Sequence, residues 1–146
     1  MAVRACYDVF MTHAAYNLPS RGHSVLLVDD DERVRRALAR LLTWVGWQVV
    51  GEAADELGAL QCAERMHPDL VLLDLWLPHS SFGLLQQLQH VTPTPRVLIL
   101  TVETDAAFRQ QAYALGASGY VPKTTPPLDL LALLRQLFEA DGPPSK

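Results

Sequence analysis

The sequence predicts an α/β fold in which a five-stranded parallel sheet carries helices on both faces. Short unbroken apolar runs alternate five times with segments of helical period, and a run without polar alternation is the mark of a strand buried on both sides. Four of those runs, VLLV, LVLL, VLIL and GYVP, lead directly into polar residues: Asp29 and Asp30, Asp74, Thr101, and Lys123. The carboxyl ends of parallel strands point the same way, so these five side chains are expected at one edge of the sheet. Acids with one lysine and one hydroxyl at such an edge suit Mg²⁺ and a phosphoryl group.

The first strand is SVLLV, from Ser24. Val34, Leu38, Leu41, Leu42 and Val45 then recur at helical spacing, which predicts a helix over 32–45 with Gly46 as its left-handed stop. Asp31 and Glu32 are acids of the kind that the helix dipole favours at an amino end. Residues 47–53 form the second strand, and Leu57, Leu60, Ala63 and Met66 mark a helix over 57–66 that ends near Pro68. The third strand is 70–73, followed by a loop rich in Pro, Ser and Gly and a helix over 82–90. The fourth strand is 96–100, and Asp105 caps a helix through Leu115 whose inward face is Phe108, Ala112 and Leu115, with Gly116 ending it. Residues 119–121 are the fifth strand, and Pro127 opens the last helix where its missing N–H is harmless.

Connections this short impose right-handed crossovers. The acids that follow strands one and three must be neighbours to share one ion, which selects the flavodoxin-like order 2-1-3-4-5, a (βα)5 three-layer sandwich.

With 49% apolar residues, a chain of 146 residues holds enough material for one domain with one core. The expected domain is 24–140, with an N-terminal extension over 1–23, expected to be flexible, and a tail over 141–146. A net charge of −4 argues against direct nucleic-acid binding. Cys6 and Cys62 give no disulfide framework, and no apolar stretch approaches the roughly 18 residues of a membrane span. A soluble cytoplasmic protein is expected.

The succession VLLVDDD, LVLLDLWLP, LILT and GYVPK, over about 24–138, resembles the receiver domain of two-component response regulators. Each piece alone is common in α/β proteins; the ordered set with these gaps is specific. The resemblance implies that Asp74 accepts a phosphoryl group from a histidine kinase or phosphotransfer protein, with uptake and release self-catalysed and no enzyme of the ordinary kind. Independently, a carboxylate can attack a phosphoryl group only when both charges are neutralised, which a bound cation does. By the resemblance Asp30 binds Mg²⁺ (or Mn²⁺) directly, Asp29 through water, and Asp74 and the backbone carbonyl of Trp76 complete the set. Lys123 balances the acceptor, Thr101 is the switch hydroxyl, and movement of Thr101 lets Tyr120 turn inward, altering the surface of helix four, strand five and helix five.

Several residues depart from the family pattern. The loop from Pro78 to Gly83, PHSSFG, is one residue longer than usual, and His79 within it is expected to be solvent-exposed. Trp76 is large for a position two after the acceptor, and with Glu103, two after Thr101, it is expected to tune phosphoryl lifetime. Thr124 stands where many receivers have proline; KTTPP is closer to the transcription-regulating subfamily with a helix-turn-helix output domain, so the chain is expected to be a receiver standing alone or separated from such a domain. The last helix, LDLLALLRQLF, has a wide apolar arc that fits either deep burial or a dimer face shared with helix four.

Two other functions compete. A haloacid-dehalogenase-type phosphatase would use the Asp-x-Asp within Asp29-Asp30-Asp31, but Arg33 stands where that family expects a small residue, and only isolated Asp129 and Asp141 follow Lys123. The other is a receiver-like interaction module that is never phosphorylated.

Overall fold

The structure is a computed structural model, and it describes residues 22–139. The expectations for 1–21 and for 140–146, including Cys6, lie outside the described residues. Within them the order is β1 (Ser24–Val28), α1 (Glu32–Trp44), β2 (Gln48–Ala53), α2 (Glu56–Met66), β3 (Leu70–Leu73), α3 (Ser81–Leu88), β4 (Arg96–Thr101), α4 (Ala106–Ala114), β5 (Gly119–Pro122) and α5 (Pro127–Glu139). The strands form one sheet of order β2-β1-β3-β4-β5, and every pairing is parallel. This is the expected three-layer sandwich with β1 and β3 adjacent.

Strand periodicity divides the core between two faces. Leu26, Val28, Val71, Leu73, Val97 and Ile99 pack on one side with Ala59 and Ala63 of α2, Leu84, Leu85 and Leu88 of α3, and Ala112 of α4. Val25, Leu27, Leu70, Leu72 and Leu98 pack on the other side with Leu42 of α1 and Leu130, Leu131 and Leu134 of α5. Both faces of the central strands are thus apolar, which is why those runs lack alternation.

Helix ends follow local chemistry. Asp31, Asp55, Ser80 and Asp105 are extended N-caps whose side chains accept backbone N–H groups of the first turn. Gly46 and Gly116 lie at positive φ after α1 and α4, as the stop positions required. The structure differs from the sequence expectation at several boundaries. α1 ends at Trp44 with Val45 as its cap, and Trp47 precedes β2 as a buried core residue. α2 starts one residue earlier, because Asp55 caps it, and His67 in the left-handed region ends it before Pro68. α3 is Ser81–Leu88 rather than 82–90, since Ser80 supplies the cap. β4 takes in Thr101 and β5 takes in Pro122, which pair with each other.

The wide apolar arc of α5 is mostly used by the core. Leu130, Leu131 and Leu134 are buried, Leu133, Leu137 and Phe138 pack against them, and Leu128 is left exposed. Phe138 meets Trp47 edge-on at 5.2 Å between centroids, with the Arg96 guanidinium 4.8 Å from its ring. No helix among the described residues is long and apolar enough to cross a membrane. Cys62 is a free, half-buried thiol whose pKa burial pushes up, an unreactive setting.

Candidate functional site

The sheet ladder extends one residue past several strand ends, and those residues carry the site. The Asp29 N–H donates to the Ala53 carbonyl, the Asp74 N–H to Val28, and the Lys123 N–H to Thr101, at 3.0, 2.9 and 2.7 Å. Val28 is in register with Leu73, so Asp29 and Asp74 leave neighbouring strands side by side. Both are 4% exposed, while Asp30 is open to solvent. The three carboxylates each offer an oxygen, all within 4.8 Å of one another. The structure therefore brings together Asp29, Asp30 and Asp74 as expected.

Lys123 joins them with an unanticipated preference. Its Nζ lies 2.6 Å from Asp29 Oδ2 and 3.5 Å from Asp74 Oδ2, so the ammonium is committed first to Asp29 rather than to the expected acceptor. Burial pulls the lysine pKa down, but the Asp29 hydrogen bond and the charges of Asp74 and Asp29 outweigh it, leaving the pKa above its ordinary value. Asp74 is pushed up, first by burial and then by the charge of Asp29; the Trp76 N–H and Lys123 offset this only partly. Two buried carboxylates with one lysine between them leave a charge deficit that a divalent cation fits. Oxygen donors of this kind are what Mg²⁺ or Mn²⁺ prefers.

The surrounding backbone is held by further polar contacts. Asp29 Oδ1 accepts the Asp31 N–H at 2.9 Å, and the Asp29 carbonyl accepts Nη1 of Arg35 at 2.6 Å, whose Nε reaches Glu52 Oε1 at 3.0 Å. Asp31 turns its carboxylate to the Arg33 N–H, so it serves α1. Asp74 Oδ1 accepts the Trp76 N–H at 3.3 Å. Arg35 and the buried Ser81 were missed in the sequence. Ser81 donates through Oγ to the Asp74 carbonyl at 2.7 Å and accepts the Leu77 N–H at 3.3 Å, and its hydroxyl in the segment PHSSFG was the available signal.

Thr101 is fully buried at the end of β4, and its Oγ1 accepts the Glu103 N–H at 3.1 Å. Tyr120 already lies inward, 6% exposed, with its hydroxyl donating to the Glu103 carbonyl at 3.1 Å and the Arg109 guanidinium 5.7 Å from the ring centroid. The Glu103 carboxylate accepts the Asp105 N–H at 2.9 Å. Trp76 is 49% exposed and meets Phe108 of α4 edge-on at 5.4 Å, while Phe108 stacks with Phe82 of α3 at 6.2 Å. His79 is exposed, as expected.

Residues 25–135 match the sequence model of the response regulator receiver domain. Among curated relatives, a probable transcriptional regulator ycf27 of Cyanophora paradoxa is 36% identical over 122 residues, 83% of this chain and 50% of the relative. The transcriptional regulatory protein KdpE of Mycobacterium tuberculosis is 39% identical over 112 residues, 76% of this chain and 49% of the relative. The chain thus spans about half the length of the curated relatives it matches. Among solved structures, a LuxR-family two-component response regulator from Aurantimonas superposes with a TM-score of 0.76 at 32% identity, covering 82% of this chain and 86% of that one. The receiver domain of a putative NarL from Mycobacterium tuberculosis gives 0.76 at 27% identity, covering 86% and 100%.

Proposed function

The chain belongs to the response regulator receiver family, and from that premise we propose that Asp74 takes up a phosphoryl group from a sensor histidine kinase or phosphotransfer protein. What carries this assignment is the charge arrangement: buried Asp29 and Asp74 beside Asp30, one lysine shared between the buried pair, and Thr101 buried at the end of the adjacent strand. An Asp74 carboxylate oxygen forms the new O–P bond as the N–P bond of the donor phosphohistidine breaks, and the electron pair returns to the imidazole nitrogen. In release, water attacks phosphorus, the Asp74 O–P bond breaks, and inorganic phosphate leaves. Asp29, Asp30, Asp74 and the Trp76 carbonyl are the residues that would hold Mg²⁺ or Mn²⁺, which supplies neutralisation of the phosphoryl oxygens. Lys123 balances the charge that Asp74 gains.

Thr101 and Tyr120 are the switch pair in this proposal. The added charge and acceptor oxygens draw on the Thr101 hydroxyl, disturbing the Glu103 backbone that both residues hold, and so alter the surface of α4, β5 and α5. Val102, Tyr113 and Leu128 are exposed apolar side chains on or beside these elements, available to a homodimer or an output partner. Trp76 and Glu103 tune phosphoryl lifetime, so Trp76→Asn should alter the dephosphorylation rate; an unchanged rate ends that assignment. Residues 24–140 are the proposed receiver unit, acting in the cytoplasm and without direct nucleic-acid contact. Regulation of transcription, as the names of its relatives describe for them, is the proposed purpose.

Incubation with Mg²⁺ and acetyl phosphate should add the mass of one phosphoryl group, and Asp74→Asn should abolish the gain. No gain in the wild type, together with no spectral response to beryllofluoride, would leave a receiver-like interaction module. Steady turnover of a phosphomonoester would instead favour the phosphatase, against which Asp31 capping α1 already speaks.

A further inference from the structure

The loop that leads from Asp74 to α3 is tied down at two points by side chains that the phosphoryl chemistry itself does not use. Glu56, the first residue of α2, accepts the N–H groups of His79 and Ser80 through one oxygen, Oε2, at 2.7 and 2.6 Å. Its other oxygen, Oε1, is buried and has no hydrogen-bond partner among the described residues, so within them the carboxylate's hydrogen bonds are those to these two amides. They lie at the entrance of α3, where the helix dipole favours a negative charge. Directly beyond them Ser81, 4% exposed, bridges the Asp74 carbonyl and the Leu77 N–H. A continuous set of contacts therefore runs from α2 through the backbone of 79–80 and the Ser81 hydroxyl to the main chain of Asp74, bracketing the segment that contains Trp76.

Residues 74–80 lie outside helix and strand, which leaves many backbone conformations open to this segment. A charge-assisted double hydrogen bond restricts them again. We propose that Glu56 is a positioning residue for the phosphorylation site: by clamping the amides of His79 and Ser80 it seats Ser81 under Asp74 and presents the Trp76 carbonyl to the acidic cluster, thereby setting cation affinity and phosphoryl lifetime. This rests on the proposed phosphoacceptor role of Asp74. It concerns a contact between α2 and the loop before α3 in which Asp74 itself takes no part.

The test uses the full chain with Glu56→Ala, Glu56→Gln and Ser81→Ala. Read-outs are Mg²⁺ affinity, the hydrolysis rate of the phosphorylated protein, and hydrogen exchange over 75–81. Glu56→Ala should weaken Mg²⁺ binding by about tenfold, the low end for residues that orient metal ligands, change the hydrolysis rate, and speed exchange in the loop. Glu56→Gln keeps an oxygen that can accept both amides and should restore most of each property. Ser81→Ala, acting at the other end of the same clamp, should shift them in the same direction and carries the test if Glu56→Ala does not fold. Wild-type affinity and lifetime in folded Glu56→Ala, or equal impairment of the Gln and Ala variants, would overturn the proposal, as would wild-type behaviour of Ser81→Ala. A wild type that binds neither Mg²⁺ nor beryllofluoride would remove the phosphoacceptor assignment and this proposal together; a wild type that binds both, with unchanged variants, removes the clamp alone.

Discussion

At the scale of single residues, Asp74 sits where its ionised form is least comfortable. Burial and then the charge of Asp29 raise its pKa above the ordinary value of 3.8, and the Trp76 N–H and Lys123 recover only part of that cost. Between the unfolded pKa and the raised folded one, the folded protein holds more protons than the unfolded chain. Stability therefore falls as pH rises through that window, and the deficit persists above it. Asp74→Asn removes the deficit. In Mg²⁺-free buffer at neutral pH its melting temperature should exceed that of the wild type by a few degrees. The gap should close as pH falls and the wild-type carboxyl takes up its proton. Thermal denaturation across pH checks this, and a variant no more stable than the wild type at pH 7 would contradict it. The group proposed to do the chemistry is thus one whose ionised form the fold holds at a cost.

At the scale of elements, the strands were legible because burial on both faces writes itself as an unbroken apolar run, and VLLV, LVLL and VLIL could be little else. Helix ends were legible where the cap stands alone, as with Asp105, Gly46 and Gly116. They were misplaced where a cap is concealed among other polar residues, as with Asp55 before α2 and Ser80 before α3. Side-chain partners were the least legible: Lys123 reaches Asp29 more closely than Asp74, and Glu56 reaches His79 across 23 positions, which spacing along the chain does not encode. The inward Tyr120 is of the same kind, because its hydroxyl holds a carbonyl in the segment between β4 and α4. Burial and the nearby Glu103 push the phenol pKa up, so it remains a donor throughout the physiological range. Tyr120→Phe deletes that single hydrogen bond and should cost about 0.5–1.5 kcal/mol. Amide exchange over 102–106 should quicken while exchange in β1 and β3 stays as in the wild type. Uniform change across the sheet would instead make Tyr120 a general core residue.

At the scale of the whole molecule, a chain of net charge −4 concentrates three carboxylates at one edge of its sheet and answers them with one lysine. The topology leaves no alternative: β1 and β3 are adjacent, so the residues that follow them must share the edge. A ligand that binds the folded form alone adds stability by mass action, about 2.7 kcal/mol at a concentration one hundred times its dissociation constant. Mg²⁺ should therefore raise the melting temperature of the whole domain, by several degrees at saturation for a protein of this size. Asp30 isolates the cause. It is open to solvent, so Asp30→Asn removes a proposed ligand without emptying the core or stranding a buried charge. In EDTA the variant should melt within about a degree of the wild type. In excess Mg²⁺ it should lose most of the rise, whereas Ca²⁺, larger and less exacting in geometry, should separate the two proteins less. Equal Mg²⁺-induced rises in both would show that the cation acts on surface charge at large. A rise confined to the wild type would place it at the edge where β1 and β3 end.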